Sequence, residues 1–314
     1  MTHLTIPKTY KLYIGGKFPR SESGRVYEVT TAKGAFLANA AKASRKDARD
    51  AVVAARAAQP GWAGATGYNR GQVLYRVAEV LEGRRAQFID EIVASEGVST
   101  AAATAQVNEA IDTWVWYAGW ADKYVQVAGN GNGVSGPYFN LSTPEPTGVV
   151  AIIAPRESSL LGLASVIGPA VATGNTVVVV ASERAPLSAI SLAEVLATSD
   201  VPGGVVNVLT GSAAEIAPWL ASHADVNGLD LAGAGDLGSD SAGTGSAGTG
   251  SAGTGSASTG SASTGESTWV DLQIAAAETL KRVLPPVSGI PSRSIDRMLA
   301  FTETKTVWHT KAMI

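Results

Sequence analysis

Between residues 69 and 97 the apolar positions return every third or fourth residue. Leu74, Val77, Leu81, Phe88 and Ile92 share one face, with Arg76, Glu79, Glu82, Arg84 and Arg85 around them. That spacing predicts an amphipathic helix. The preceding stretch, SRKDARDAVVAARAAQPGW, predicts another, with Ser44 as its N-cap and Pro60-Gly61 as its stop. EAIDTWVWYAGWADKYV continues helical, and its Trp114, Trp116, Tyr117 and Trp120 read as packing residues. A platform for stacking bases would need interleaved basic side chains, and there are none.

From Thr147 the pattern changes to continuous apolar runs. GVVAIIAP and NTVVVVA are two such runs, GVVNVLTG and VNGLDLAG follow as further strands, and helical stretches separate all four. The first of these helices has Ser158 or Ser159 near its cap and Gly174 as its stop; the second has Pro186 in its first turn. Strands of this kind, each followed by a helix, predict βαβ units and a parallel sheet covered on both faces. Right-handed crossovers bring the carboxyl ends of the strands to one edge, where nucleotides sit in such folds. After residue 268, STWVDLQIAAAETLKRVL predicts a helix, PPVSGIPSR a loop, and IDRMLAFTETKTVWH a short helix leading into a strand.

Ser241–Gly265 interrupts this order with five near-identical pentapeptides of Gly, Ser, Thr and Ala. Such a composition buries too little surface to offset its ordering entropy, so it reads as a flexible linker. As a coil its 25 residues span roughly 25–30 Å. The chain has 314 residues and a formal charge of −3, which supplies no basic field for nucleic acid or an anionic membrane. No apolar run nears the ~18 residues of a membrane span, and the opening MTHLTIPKTYK has no apolar signal core. A cytoplasmic protein is the expectation. There is no cysteine, which excludes thiol nucleophiles, thiolate metal sites and disulfides. The three histidines, His3, His223 and His309, have no metal-ligand spacing, so no metal site is expected. Ser158, Ser159 and Ser182 fall near the strand-end edge. A serine nucleophile needs an adjacent base, and His223 with Asp225 beside it does not make a triad.

Several phrases in combination resemble the aldehyde dehydrogenase superfamily: LYIGGKFPRSESGRVYEV, EPTGVVAIIAP, IGPAVATGNTVVVVASERAPLSA, VPGGVVNVLTG and the terminal FTETKTVWH. The resemblance covers about residues 10–238 and 269–312. It implies an α/β fold with a Rossmann-like parallel sheet flanked by helices, the family's cofactor domain, in 1–124 and 147–238. It also implies an oligomerisation element, a β-hairpin at 125–146 completed by the C-terminal strand at 299–314. The linker then occupies 239–268, and 269–298 is a residual helix and loop. The catalytic domain, which the family inserts between that helix and the terminal strand, is missing; only LPPVSGIPSR fills the gap.

The resemblance also identifies what has been lost. The family's cysteine nucleophile has no counterpart, and its general-base glutamate motif is replaced by VLPPVSG. Its oxyanion-stabilising asparagine falls on Glu157, an anion where a donor is needed. Its ribose-contacting lysine falls on Val180, and its Phe-Thr-Gly-Ser segment becomes Leu231-Ala232-Gly233-Ala234. What the resemblance leaves as a vestigial cofactor set is Ser182, Glu183, Gly211, Gly233 and Gly238, with no catalytic residue. The bland reading of the same residues is that Glu183 caps a helix and Gly233 permits a turn. The implied cofactor is therefore NAD(P), bound weakly or not at all. The implied function is that of a non-catalytic subunit assembling with a full-length active aldehyde dehydrogenase, or self-associating through the hairpin and C-terminal strand. Aldehyde oxidation only in complex with a partner, and a nucleotide-binding sensor module, are the alternatives.

Overall fold

The computed structural model describes residues 8–235, 237 and 268–311. Gly238 and the pentapeptide repeat lie outside the described residues, as does His3. The four expected strands form β6 (Val149–Ile153), β7 (Thr176–Val180), β8 (Val206–Leu209) and β9 (Gly228–Asp230), every residue of which is buried. They alternate with α6 (Leu161–Ala172), α7 (Leu187–Ala197), α8 (Ala213–Ser222) and α9 (Trp269–Ala277). A fifth strand, β10 (Arg282–Leu284), pairs parallel with β9, and the order is β10-β9-β6-β7-β8. Both faces of the sheet are covered, which is why its strands carry no polar alternation. Val150 and Ile152 point into a core shared with α6 and α7. Val149, Ala151 and Ile153 point into a second core with α8 and α9.

The N-terminal third supplies β1 (Thr9–Tyr10), β2 (Val26–Thr30) and β3 (Phe36–Ala41), then the helices α1 (Arg45–Gly64), α2 (Gly67–Gly83), α3 (Arg85–Glu96) and α4 (Thr100–Trp120). Its small sheet, ordered β1-β3-β2, joins the central one through paired bonds between Tyr13 and Val208. Ser44 caps α1 as expected, with Asp47 closing a capping box. Trp114 and Tyr117 are fully buried, and Trp116 and Trp120 pack against the same core.

Three local readings are corrected. Helix α1 runs through Pro60 to Gly64, because Trp62 is buried and donates its indole N–H to Val171 O at 2.9 Å, holding the last turn against α6. The helix expected through residue 284 ends at Ala277; Leu280 takes φ +55°, and the next residues become β10, where they gain a ladder along β9. The N-cap of α6 is Leu160, so Ser158 and Ser159 lie near the cap and Gly174 just past the end, as expected. Pro186 sits at the N-cap of α7, one position before its first turn.

The third sheet comprises β4 (Asn130–Asn132), β5 (Tyr138–Pro146) and β11 (Thr302–Thr310), ordered β11-β5-β4 and antiparallel throughout. The short α5 (Tyr124–Ala128) leads into it, and α10 (Ile295–Leu299) leads into β11. Two contacts anchor its base to the main domain. The Asn175 amide donates to Phe301 O at 2.9 Å, and Arg282 pairs with Glu303 at 2.6 Å. Residues 285–294 alone separate β10 from α10. No described helix is long and apolar enough to cross a membrane.

Candidate functional site

In the central sheet β7 and β8 lie to one side of β6, while β9 and β10 lie to the other. The chain direction therefore switches between β6 and β9, and their carboxyl ends flank the crevice where doubly wound sheets bind ligands. A cavity of about 340 Å³ occupies that place. It is lined by Arg156 and Glu157 after β6, Ala232 and Gly233 after β9, and Pro286 and Ser288 after β10.

Gly233 closes the floor. Its N–H donates to Ile153 O at 2.9 Å, and a Cβ at this position would stand 1.9 Å from Ala154 O. Only glycine allows the turns after β6 and β9 to approach so closely. Glu157 is exposed at the cavity rim. Beneath it, Ser158 donates its hydroxyl to Gln106 Oε1 at 2.5 Å. Ser159 donates both its hydroxyl, at 2.7 Å, and its N–H, at 2.8 Å, to Glu96 Oε1. The Gln106 amide donates to the other oxygen of Glu96. A carboxylate from α3 thus ties down the turn that precedes α6, and both serine hydroxyls are committed, one to Gln106 and one to Glu96.

The other expected residues gather at the ends of β7 and β8. Ser182 is buried and its hydroxyl has no hydrogen-bond partner among the described residues. Glu183 is exposed. Gly211 takes φ +120°, and a Cβ there would crowd Ala43 N at 3.2 Å. Tyr27, which was not singled out from the sequence, belongs with them. Its hydroxyl is buried beside the Gly211 backbone, and its pKa is raised by burial first and by the Glu183 carboxylate second, opposed by that backbone. The alternation in VYEVT, with Tyr27 and Val29 on one face, was the signal for it. Val180 is buried and apolar.

Helix α9 begins with a closed capping box. Thr268 donates its N–H to Asp271 Oδ2 at 2.8 Å and its hydroxyl to the same oxygen at 2.9 Å. Those bonds hold the Asp271 carboxyl below the usual range, so an anion already sits at this N-terminus. His223 lies apart on the far end of α8, against the Trp219 ring at 4.5 Å, with Nδ1 accepting from Asp225 N. Burial pushes its pKa down. No group of three or more His, Asp or Glu poised to hold a metal occurs among the described residues.

A second buried polar cluster joins β9 to α10. Asp230, the last residue of β9, is 1% exposed; it accepts from Ala232 N at 3.1 Å and pairs with Arg297 of α10. Burial raises its pKa, opposed by Arg297. Tyr117 lies beside the pair, its hydroxyl pushed up to about 12 by burial. Periodicity gives no hint of a bond between residues 67 positions apart.

Comparison with known proteins matches residues 18–250 to the aldehyde dehydrogenase family model. The chain is 32% identical over 237 residues to cytosolic 10-formyltetrahydrofolate dehydrogenase of Mus musculus, covering 74% of this chain and 26% of that protein. It is 33% identical over 233 residues to the putative aldehyde dehydrogenase DhaS of Bacillus subtilis (strain 168), covering 73% and 46%. It therefore spans half or less of these relatives. The solved NAD+ complex of aldehyde dehydrogenase from Bacillus cereus superposes with a TM-score of 0.74 at 25% identity, over 88% of this chain and 50% of that one. The parallel sheet, its switch point and the flanking helices are those of the family's NAD-binding, Rossmann-like domain, without the catalytic domain. With the family model matching most of its length, this chain belongs to the aldehyde dehydrogenase family.

Proposed function

We propose that the protein is a non-catalytic member of its family, a subunit that assembles with a full-length, active NAD(P)-dependent aldehyde dehydrogenase. The observation that carries this reading is the sheet β11-β5-β4. Its outer strand is nine residues long with an open edge, and Phe139, Leu141 and Trp308 are 50%, 39% and 59% exposed on its faces. Such an edge with apolar side chains beside it is a docking surface. Among the described residues only 285–294 lie between β10 and α10, where the family's catalytic domain would offer a neighbouring subunit a sheet to extend.

The site itself argues against chemistry. There is no cysteine, Glu157 places an anion at the cavity rim, and Pro286 and Val287 stand on its β10 side. The residues also do not fit a dinucleotide. Val180 has no cation to offer a ribose, Ala232 and Ala234 have no hydroxyls, and Asp271 places its own carboxylate at the helix N-terminus where a pyrophosphate would be attracted. The compartment consistent with this role is the cytosol, where the name of the mouse relative places that protein.

Affinity capture of the tagged chain from its native cell is the test. A full-length dehydrogenase recovered at a fixed ratio, and lost when residues 302–311 are deleted, is the expected result. Recovery of the intact chain alone, as a monomer, overturns the reading.

A further inference from the structure

We propose that β11 pairs antiparallel with β11 of a second copy of this chain, about a twofold axis through Thr306, fusing two three-stranded sheets into one. The two ends of the sheet are unlike. The edge strand β4 has three residues, Asn130–Asn132, too few to template a ladder. The edge strand β11 has nine, and each residue from Glu303 to Thr310 is exposed or half-exposed. Natural edges are blunted by proline, bulges or unpaired charges. Strand β11 contains neither proline nor glycine, and its register with β5 runs unbroken from Thr302↔Pro146 to Thr310↔Tyr138. Its acid and its lysine are already tied along the chain, Glu303 to Arg282 and Lys305 to Glu145 at 2.9 Å.

The sequence of the strand, TETKTVWHT, selects both the occupant and the register. Thr306 is its midpoint, so a twofold there pairs all nine residues. That register sets the Glu303 carboxylate opposite the imidazole of His309 in the second copy, an acceptor opposite a donor. It also sets Thr304 opposite Trp308, and Lys305 opposite Val307, whose methyls can lie on the lysine stem. No like charges face each other. Moving the axis to Lys305 puts that cation opposite itself, and moving it to Val307 puts Lys305 opposite His309; cross-strand pairs of either kind are disfavoured. The pairing uses the edge assigned above to a full-length dehydrogenase, and it rests on that reading only in treating the edge as an interface. The homodimer then masks the edge, and the two assemblies exclude each other.

A cysteine-free chain makes the register directly readable by cross-linking. Facing residues in an antiparallel pair have Cα atoms about 4.5–5.5 Å apart, inside the range a disulfide spans. The purified Thr306→Cys variant, oxidised with diamide, is expected to run mostly as a covalent dimer on a non-reducing gel. Thr304→Cys should cross-link at least tenfold less, because its own copy lies four residues, roughly 13 Å, along the partner strand. Mixed with Trp308→Cys it should give a heterodimer. All three positions are exposed, and circular dichroism of the reduced proteins confirms that they fold. A folded Thr306→Cys variant that stays monomeric, or a Thr304→Cys variant that cross-links equally fast, overturns the proposal. Failure of co-purification with a dehydrogenase overturns only the heteromer, so the two readings fail separately.

Discussion

Replacing Arg297 by methionine removes the one cation that, among the described residues, pairs with the Asp230 carboxylate, which is 1% exposed. Asp230 would keep one hydrogen bond, from Ala232 N, and would otherwise be an uncompensated buried charge. Breaking one half of a buried pair costs about 3–5 kcal/mol. At about 1.5 °C per kcal/mol for a chain of 314 residues, the melting temperature should fall by roughly 5–8 °C. The double variant Asp230→Asn, Arg297→Met removes the charge while keeping an acceptor for Ala232 N, and should recover more than half of the loss. The pH dependence has a definite sign. The folded Asp230 pKa already lies above its usual 3.8 because of burial, so the folded state binds more protons in the window just above that value. Stability associated with this group is full below pH 3.8 and is lost as pH rises through the folded pKa. Removing Arg297 raises that pKa further, so the penalty should be larger at pH 7.5 than at pH 4.5. Urea unfolding at both pH values measures it. An Arg297→Met variant within about 1 kcal/mol of the parent at pH 7.5, or one equally destabilised at both, refutes the reasoning.

Two further outcomes concern the cavity. Gly233→Ala should cost about 3 kcal/mol in urea unfolding, because the new Cβ meets backbone 1.9 Å away rather than a movable side chain; an unchanged midpoint would mean the two turns are not in contact. Calorimetric titration of the chain with NAD+ or NADP+ should show no binding tighter than about 1 mM, since Val180 offers a ribose no cation, Ala232 and Ala234 offer no hydroxyls, and Asp271 places a carboxylate at the α9 N-terminus. A micromolar affinity would return the protein to the nucleotide binders.

The parts of this protein written in its sequence are those with a local cause. Uninterrupted apolar runs such as VVAII and TVVVV can only be strands covered on both faces, and they foretold the parallel sheet. Ser44 before a charged, amphipathic stretch foretold the cap of α1, and the missing cysteine removed the family's nucleophile before any coordinates were needed. The tertiary structure decided whatever depends on a partner far along the chain. Arg282–Leu284 reads as the end of a helix, but β9 offers it a ladder, and that outweighs local propensity. Pro60 reads as a stop, but the buried Trp62 carries α1 past it. Glu96 has nothing in its own neighbourhood to mark it as the acceptor for Ser159 in the turn before α6, nor does Arg297 as the counter-ion of Asp230. Periodicity reports which face of an element is buried, not which distant residue will lie against it. For that reason the domain could be read from the chain, while the bonds around its cavity came into view only once the chain was folded.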